Sequence, residues 1–360
     1  MRASLFLILF LASLSLFAQD TLRTYYDEEQ TLVREEYVEI NGVAEGIVKR
    51  FSIEGDLVQI GQLKNNQRHG LFVDLDERSG DTLKTTLFVN NMRNGESVSY
   101  YPSGLVQQRS YFEDNELQGE VNSYFPSGKL QDKTLFESNK PNGPSMSYFE
   151  SGQIQKKANY KEGVLDGPYE EYNEGGELIL SSIYDEGEVD GLETRYFDDG
   201  TIESQREYKK GLLDGLFLLN YPSGQKSREG TYRKGSPDGE MLAYYENGKL
   251  KERAVFKKGE PTEEIRKYHP NGELQMLGEY DDDGYLLRET YYHDNGNLNY
   301  QANYFNDLIQ GELKIYRKDK TLEEIRNYRD GQLEGKREYF DKDGEPMKTE
   351  TYREGRRVNN

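Results

Sequence analysis

The sequence predicts an all-β chain: an elongated tandem array of antiparallel β-hairpins forming one long twisted single-layer sheet. Three observations predict it. Glycine recurs at Gly46, Gly70, Gly95, Gly119, Gly143, Gly167, Gly191, Gly215, Gly239, Gly311 and Gly335, 24 residues apart with one interval of 25 and one gap of three periods. An aromatic residue recurs in the same register, and turn-forming residues punctuate short β-competent segments.

The elements follow in chain order. Residues 1–18 combine Arg2, the apolar run Leu5 to Phe17 and the small Ala18 before Gln19, the three-part layout of a secretory signal peptide cleaved after Ala18. Export to the periplasm or the cell exterior is expected. No second apolar stretch of about 18 residues follows that would span a bilayer. Residues 19–46 read as a degenerate N-terminal capping repeat, with Tyr26 and Leu32 on core positions and Gln30 where a turn glycine belongs. Residues 47–360 then hold about thirteen repeats of 24 residues.

Within each repeat the first aromatic stands at Phe88, Phe112, Phe136, Tyr160, Tyr184, Tyr208, Tyr232, Phe256, Tyr280, Tyr304, Tyr328 and Tyr352. A second comb holds Tyr100, Tyr124, Tyr148, Tyr172, Tyr196, Tyr244, Tyr268, Tyr292, Tyr316 and Phe340, broken at Asn220. An aliphatic position follows at Val106, Leu130, Ile154, Leu178, Ile202, Leu250, Leu274, Leu298 and Leu322. These three positions are the expected core. Period-two alternation puts Leu178, Ser182 and Tyr184 on one face, with Tyr172 joining them and charge on the other.

Two turns close each unit. Gly104, Gly128, Gly152 and their equivalents stand four residues after the second aromatic, which is hairpin punctuation. Three residues after the first comb only Gly, Asn and Asp occur, as at Asn91, Asn115, Gly163, Asp283 and Gly331; these types accept positive φ.

Composition narrows the function. There is no Cys and only 3 His, which removes thiol chemistry and thiolate metal sites and leaves little for a histidine centre, so neither cofactor nor metal is expected. The net charge of −20 argues against nucleic acid and anionic lipid, whose binding rests on clustered Lys and Arg. Hydrophobic residues make up 34%, too few for large globular cores, while 29 Tyr and 15 Phe are too many for a solvated chain.

The unit Tyr-x-x-(Ser/Asn/Asp)-Gly-x-Leu followed by Tyr-Lys-x-Gly-x-x-Asp-Gly, as in Tyr268 to Leu274 and Tyr208 to Gly215, resembles the MORN-repeat variant of bacterial proteins. The resemblance implies an elongated hairpin array used for binding, with no catalytic residue to carry over. Similar members are often labelled antitoxins of toxin–antitoxin systems.

The candidate binding residues follow the second comb: Tyr101, Phe125, Phe149, Phe197, Tyr221 and Tyr245, with His269 and His293 in the same position of adjacent repeats. In an extended strand each points away from the core Tyr beside it. Such a stripe can anchor a protein partner or stack on sugar rings, unless the twisting sheet or a neighbouring turn covers it. The two histidines, about 10 Å apart, are too far from each other for one metal ion. Asp281-Asp282-Asp283-Gly284 lacks the alternating ligands of a calcium loop and reads as a turn. The expected function is a non-catalytic interaction scaffold, with a toxin-sequestering antitoxin or immunity protein and a glycan or cell-wall binder as alternatives.

Overall fold

A computed structural model describes residues 19–358; the signal-peptide reading of 1–18 lies outside the described residues. Among those residues all regular structure is strand, and no helix is long and apolar enough to cross a membrane. The chain divides into two units, one running to Ile154 with Tyr160–Gly163, the other comprising Gln155–Asn159 and Val164 onward.

In the first unit the strands pair antiparallel in sequence order from Gln19–Tyr25 through Lys140–Tyr148, with Gln67–Arg68 and Gly70–Leu75 both pairing Leu57–Lys64. In the second the same meander runs from Val164–Tyr172 to Arg356–Val358. The expected array of antiparallel hairpins is what the chain forms.

The two turns differ in physics. The strands Val106–Glu113 and Glu116–Tyr124 are joined by Asp114 and Asn115, both at positive φ (46° and 73°). That is the two-residue type I′ turn whose twist matches the strands. The other turn is a three-residue loop: the Gly104 N–H donates to the Tyr101 carbonyl at 2.8 Å and the Tyr101 N–H to that of Leu105 at 2.8 Å. Gly104 sits at φ +80°. Asp283 departs from its expected place, because Asp281 to Gly284 forms a loop of this second kind, with Asp281 Oδ1 accepting from the N–H groups of Asp283 and Tyr285.

A register shift falls just before each three-residue loop, as between Glu171 and Tyr172 and between Ala243 and Tyr244. A bulge adds a residue on one strand and turns the side chains beyond it. The second comb therefore does not join the first on one face. Tyr172 donates to Glu170 Oε2 at 2.5 Å and Tyr244 to Glu229 Oε1 at 2.6 Å, among the charged side chains opposite Ser182 and its equivalents.

The combs and the aliphatic position are mostly half-buried, so they flank the core rather than make it. A fourth column is packed most tightly, and in it large residues stand beside small ones across the sheet. In the first unit it runs Val48, Gly61, Phe72, Thr86, Ser97 and Ser110. In the second, Phe217 faces Gly230 and Met241 faces Ala254. Phe72 is 2% exposed and Ala254 1%. A small residue lets the large neighbour lie over its strand, which is how a sheet without a covering layer buries rings.

Candidate functional site

The residue opening each three-residue loop is the position expected to form the aromatic stripe. Tyr101, Phe125, Phe149, Phe197, Tyr221, Tyr245, His269 and His293 are all half-buried. Their polar tips reach the next repeat. Tyr101 donates to the Tyr124 carbonyl at 2.7 Å, Tyr221 to that of Tyr244 at 2.8 Å and Tyr245 to that of Tyr268 at 2.6 Å. His269 Nε2 lies 3.0 Å from the Tyr292 carbonyl and His293 Nε2 2.8 Å from that of Tyr316; a carbonyl only accepts, so Nε2 carries the proton. Arg317 makes the same reach to Phe340 at 2.6 Å and Tyr26 to Phe51 at 2.8 Å.

These residues clasp one repeat to the next, and the stripe does not stand out into solvent. Simple alternation misplaces them because each bulge, whose extra residue stands on the strand after the loop as Gln107 does, puts the second comb on the other face. Phe125, Phe149 and Phe197 fill the same place without a donor. Tyr245→Phe is therefore expected to lower stability by about 1 kcal/mol, the net worth of one hydrogen bond. Phe125→Tyr is expected to raise it by up to the same amount, both read as midpoint shifts in urea denaturation.

The type I′ turns clasp as well. Asn115 donates its N–H to the Arg93 carbonyl at 2.9 Å while its Oδ1 accepts the Arg93 N–H at 2.8 Å. Asn91 with Arg68 and Asn139 with Leu117 do the same. Where the earlier residue is Pro141 or Pro237, with no N–H to offer, the turn residue is Gly163 or Gly259 and only its own N–H bonds.

Exposed apolar surface lies on the sheet face opposite the tight column. In the first unit Ile47 is 53% exposed, Leu71 51%, Leu87 37% and Tyr111 49%. Leu71 pairs directly with Leu87, Ile47 with Gln62 and Tyr111 with Glu96. Gly95 sits close beneath Leu87: a Cβ there would stand 2.6 Å from Leu87 Cδ2, so the glycine lets the leucine lie across the bulge. Glu96 stands beside Tyr111 in the row and Glu120 beyond it, ion-paired with Arg109 and Lys133 respectively. A row of apolar side chains edged by carboxylates, on a strongly acidic chain, can take an amphipathic cationic surface. Sequence reasoning missed it, although Leu87, Tyr111, Leu135 and Ile183 recur one residue before the first comb.

Among the described residues no group of three His, Cys, Asp or Glu stands where it could hold a metal ion. The groups shifted furthest sit in structural pairs. Burial first, then the hydrogen bond to Glu229, pushes Tyr244 up to about 12. The Lys348 ammonium and the hydroxyls of Tyr352 and Tyr339 hold Glu350 down near 2 against desolvation.

A search of curated protein sequences matches nothing at a significant level. Solved structures of TcdB2-TccC3, alone, with Cdc42 and with TEV, match 93–94% of the chain at 11–14% identity, each with a TM-score of 0.16. The chain spans less than a quarter of those proteins (22–23%), and a likeness that weak carries no argument. The family comparison is informative. The MORN repeat variant model matches 117–138, 141–162, 189–210, 237–258, 264–282 and 287–306, in register with the hairpins. The chain belongs to the MORN repeat variant family.

Proposed function

We propose that this chain is an exported, non-catalytic protein-binding scaffold, and that the apolar row of its first unit receives a basic, amphipathic segment of a partner protein. The observation that carries it is the row itself: Ile47, Leu71, Leu87 and Tyr111 stand exposed on a regular sheet, with Glu96 beside Tyr111 and Glu120 beyond it. The net charge of −20 favours a cationic partner over an acidic one by long-range attraction. The leader-like pattern of Arg2, Leu5 to Phe17 and Ala18 supports export.

Photo-crosslinking from position 71 in the source cells tests the proposal, with position 336 on a charged stretch of the second unit as control. A basic protein joined at 71 and not at 336 is the expected result. The same adducts at both positions, or none, would overturn it. A single small partner at one-to-one ratio makes the protein a sequestering factor of the antitoxin or immunity kind. Several partners make it a scaffold.

A further inference from the structure

A second surface of the first unit has a different chemistry. Near the three-residue loops, an open groove of about 380 Å³ is lined by Ser99, Gln107, Gln108, Ser123, Gln131 and Asp132, with Tyr101 and Tyr124 at its sides. Its origin is visible in the register. Ser99 pairs with Gln108, Gln108 with Ser123 and Ser123 with Asp132. The corresponding row of the second unit mixes short side chains, Ser204 and Ala243, with long ones, among them Leu180, Leu219, Met276, Tyr291 and Tyr300. The short side chains of Ser99 and Ser123, on either side of Gln108, leave the space open.

We infer that this groove binds a neutral, hydroxyl-rich ligand, a short oligosaccharide. Three observations carry the inference. The lining contains one charged residue among eight, in a chain where 31% are charged, so the groove selects against ionic ligands. The side chains of Ser99, Gln107, Gln108, Ser123 and Gln131 make no hydrogen bond among the described residues. They leave amide and hydroxyl groups that both donate and accept, as sugar hydroxyls do. The volume falls within the range of small-ligand sites, roughly 300–1,000 Å³, and the Tyr124 ring offers an apolar face beside the polar groups. A peptide fits less well, because strands here are paired on both sides and offer no edge for strand addition. This site is separate from the apolar row, so either reading can fail without the other.

Titration of the full chain with maltotetraose, cellotetraose and chitotetraose by isothermal calorimetry tests it. At least one is expected to bind, and Gln108→Ala with Gln131→Ala is expected to weaken it by about tenfold or more. Ser99→Leu, which fills the groove, should abolish binding while circular dichroism stays unchanged, and Gln301→Ala on an exposed strand position of the second unit should bind as the parent does. No binding of any of the three at about 10 mM, equal affinity in the groove variants, or binding of tetraglycine in their place would overturn the inference.

Discussion

Gly61→Val is expected to destabilise the first unit by about 1–3 kcal/mol, the usual cost of overpacking a filled site. Gly61 stands in the tight column between Val48 and Phe72. A Cβ at this position would lie 2.3 Å from Cδ1 and Cε1 of the Phe72 ring and 2.6 Å from Cζ. The ring has little room to retreat. It is 2% exposed, packs edge-on against Phe88 at 5.1 Å and lies under the Arg68 guanidinium at 5.4 Å. Combining Gly61→Val with Phe72→Leu returns volume to the column and should recover part of the loss. The coupling is measured as a double-mutant cycle in urea, and additive effects would mean that the two residues do not share the site.

Glu324→Ala has the second large effect, about 3 kcal/mol, near the low end of the range for breaking a buried ion pair. Glu324 is 6% exposed. It accepts from Arg326 Nε at 2.8 Å and Nη2 at 2.9 Å and from Arg337 Nε. Those arginine side chains keep 31% and 24% of their exposure, so water softens the cost of stranding them. The pH dependence has a definite sign. Burial raises the affinity of this carboxyl for a proton, but the hydrogen bonds from Arg326 and Arg337 outweigh it and hold the group below its ordinary value. A carboxylate depressed in the folded state stabilises above its unfolded pKa, and the contribution is lost as pH falls through the folded one. Glu324→Gln should therefore be less stable than the parent at pH 7, with the gap closing below about pH 4. A pH-independent gap would show that packing, not ionisation, sets the cost.

Much of the fold was legible in the sequence because repetition multiplies weak signals. One Asn at position 115 says little, but a series restricted to Gly, Asn and Asp reports positive φ, and the turns bear this out with φ at 73° for Asn115 and 92° for Gly163. What stayed hidden depends on a single residue of register. The bulge at Glu171/Tyr172 leaves no mark in composition, and without it alternation places Tyr172 on the wrong face. With Tyr100 and Tyr268 likewise beside register shifts, Tyr101 and His269 stand not in an open stripe but as clasps on Tyr124 and Tyr292. The tight column was present in the sequence as small residues two before the first comb, Ser110, Thr134, Ala158, Ser182, Gly230, Ala254, Gly278 and Ala302. Attention to large residues passes over it, since Ser and Gly usually signal turns.

The binding account rests on the exposed row, and its most direct test is affinity for the partner crosslinked at position 71, purified and titrated against the full chain. The parent, a Leu71→Ser/Leu87→Ser variant and the same pair in rising salt are compared. The account predicts that the serine variant binds at least about tenfold more weakly, in line with removing two apolar contacts, and that affinity falls with salt as the chain's net charge of −20 is screened. Undiminished affinity in the serine variant, with circular dichroism unchanged, would contradict it.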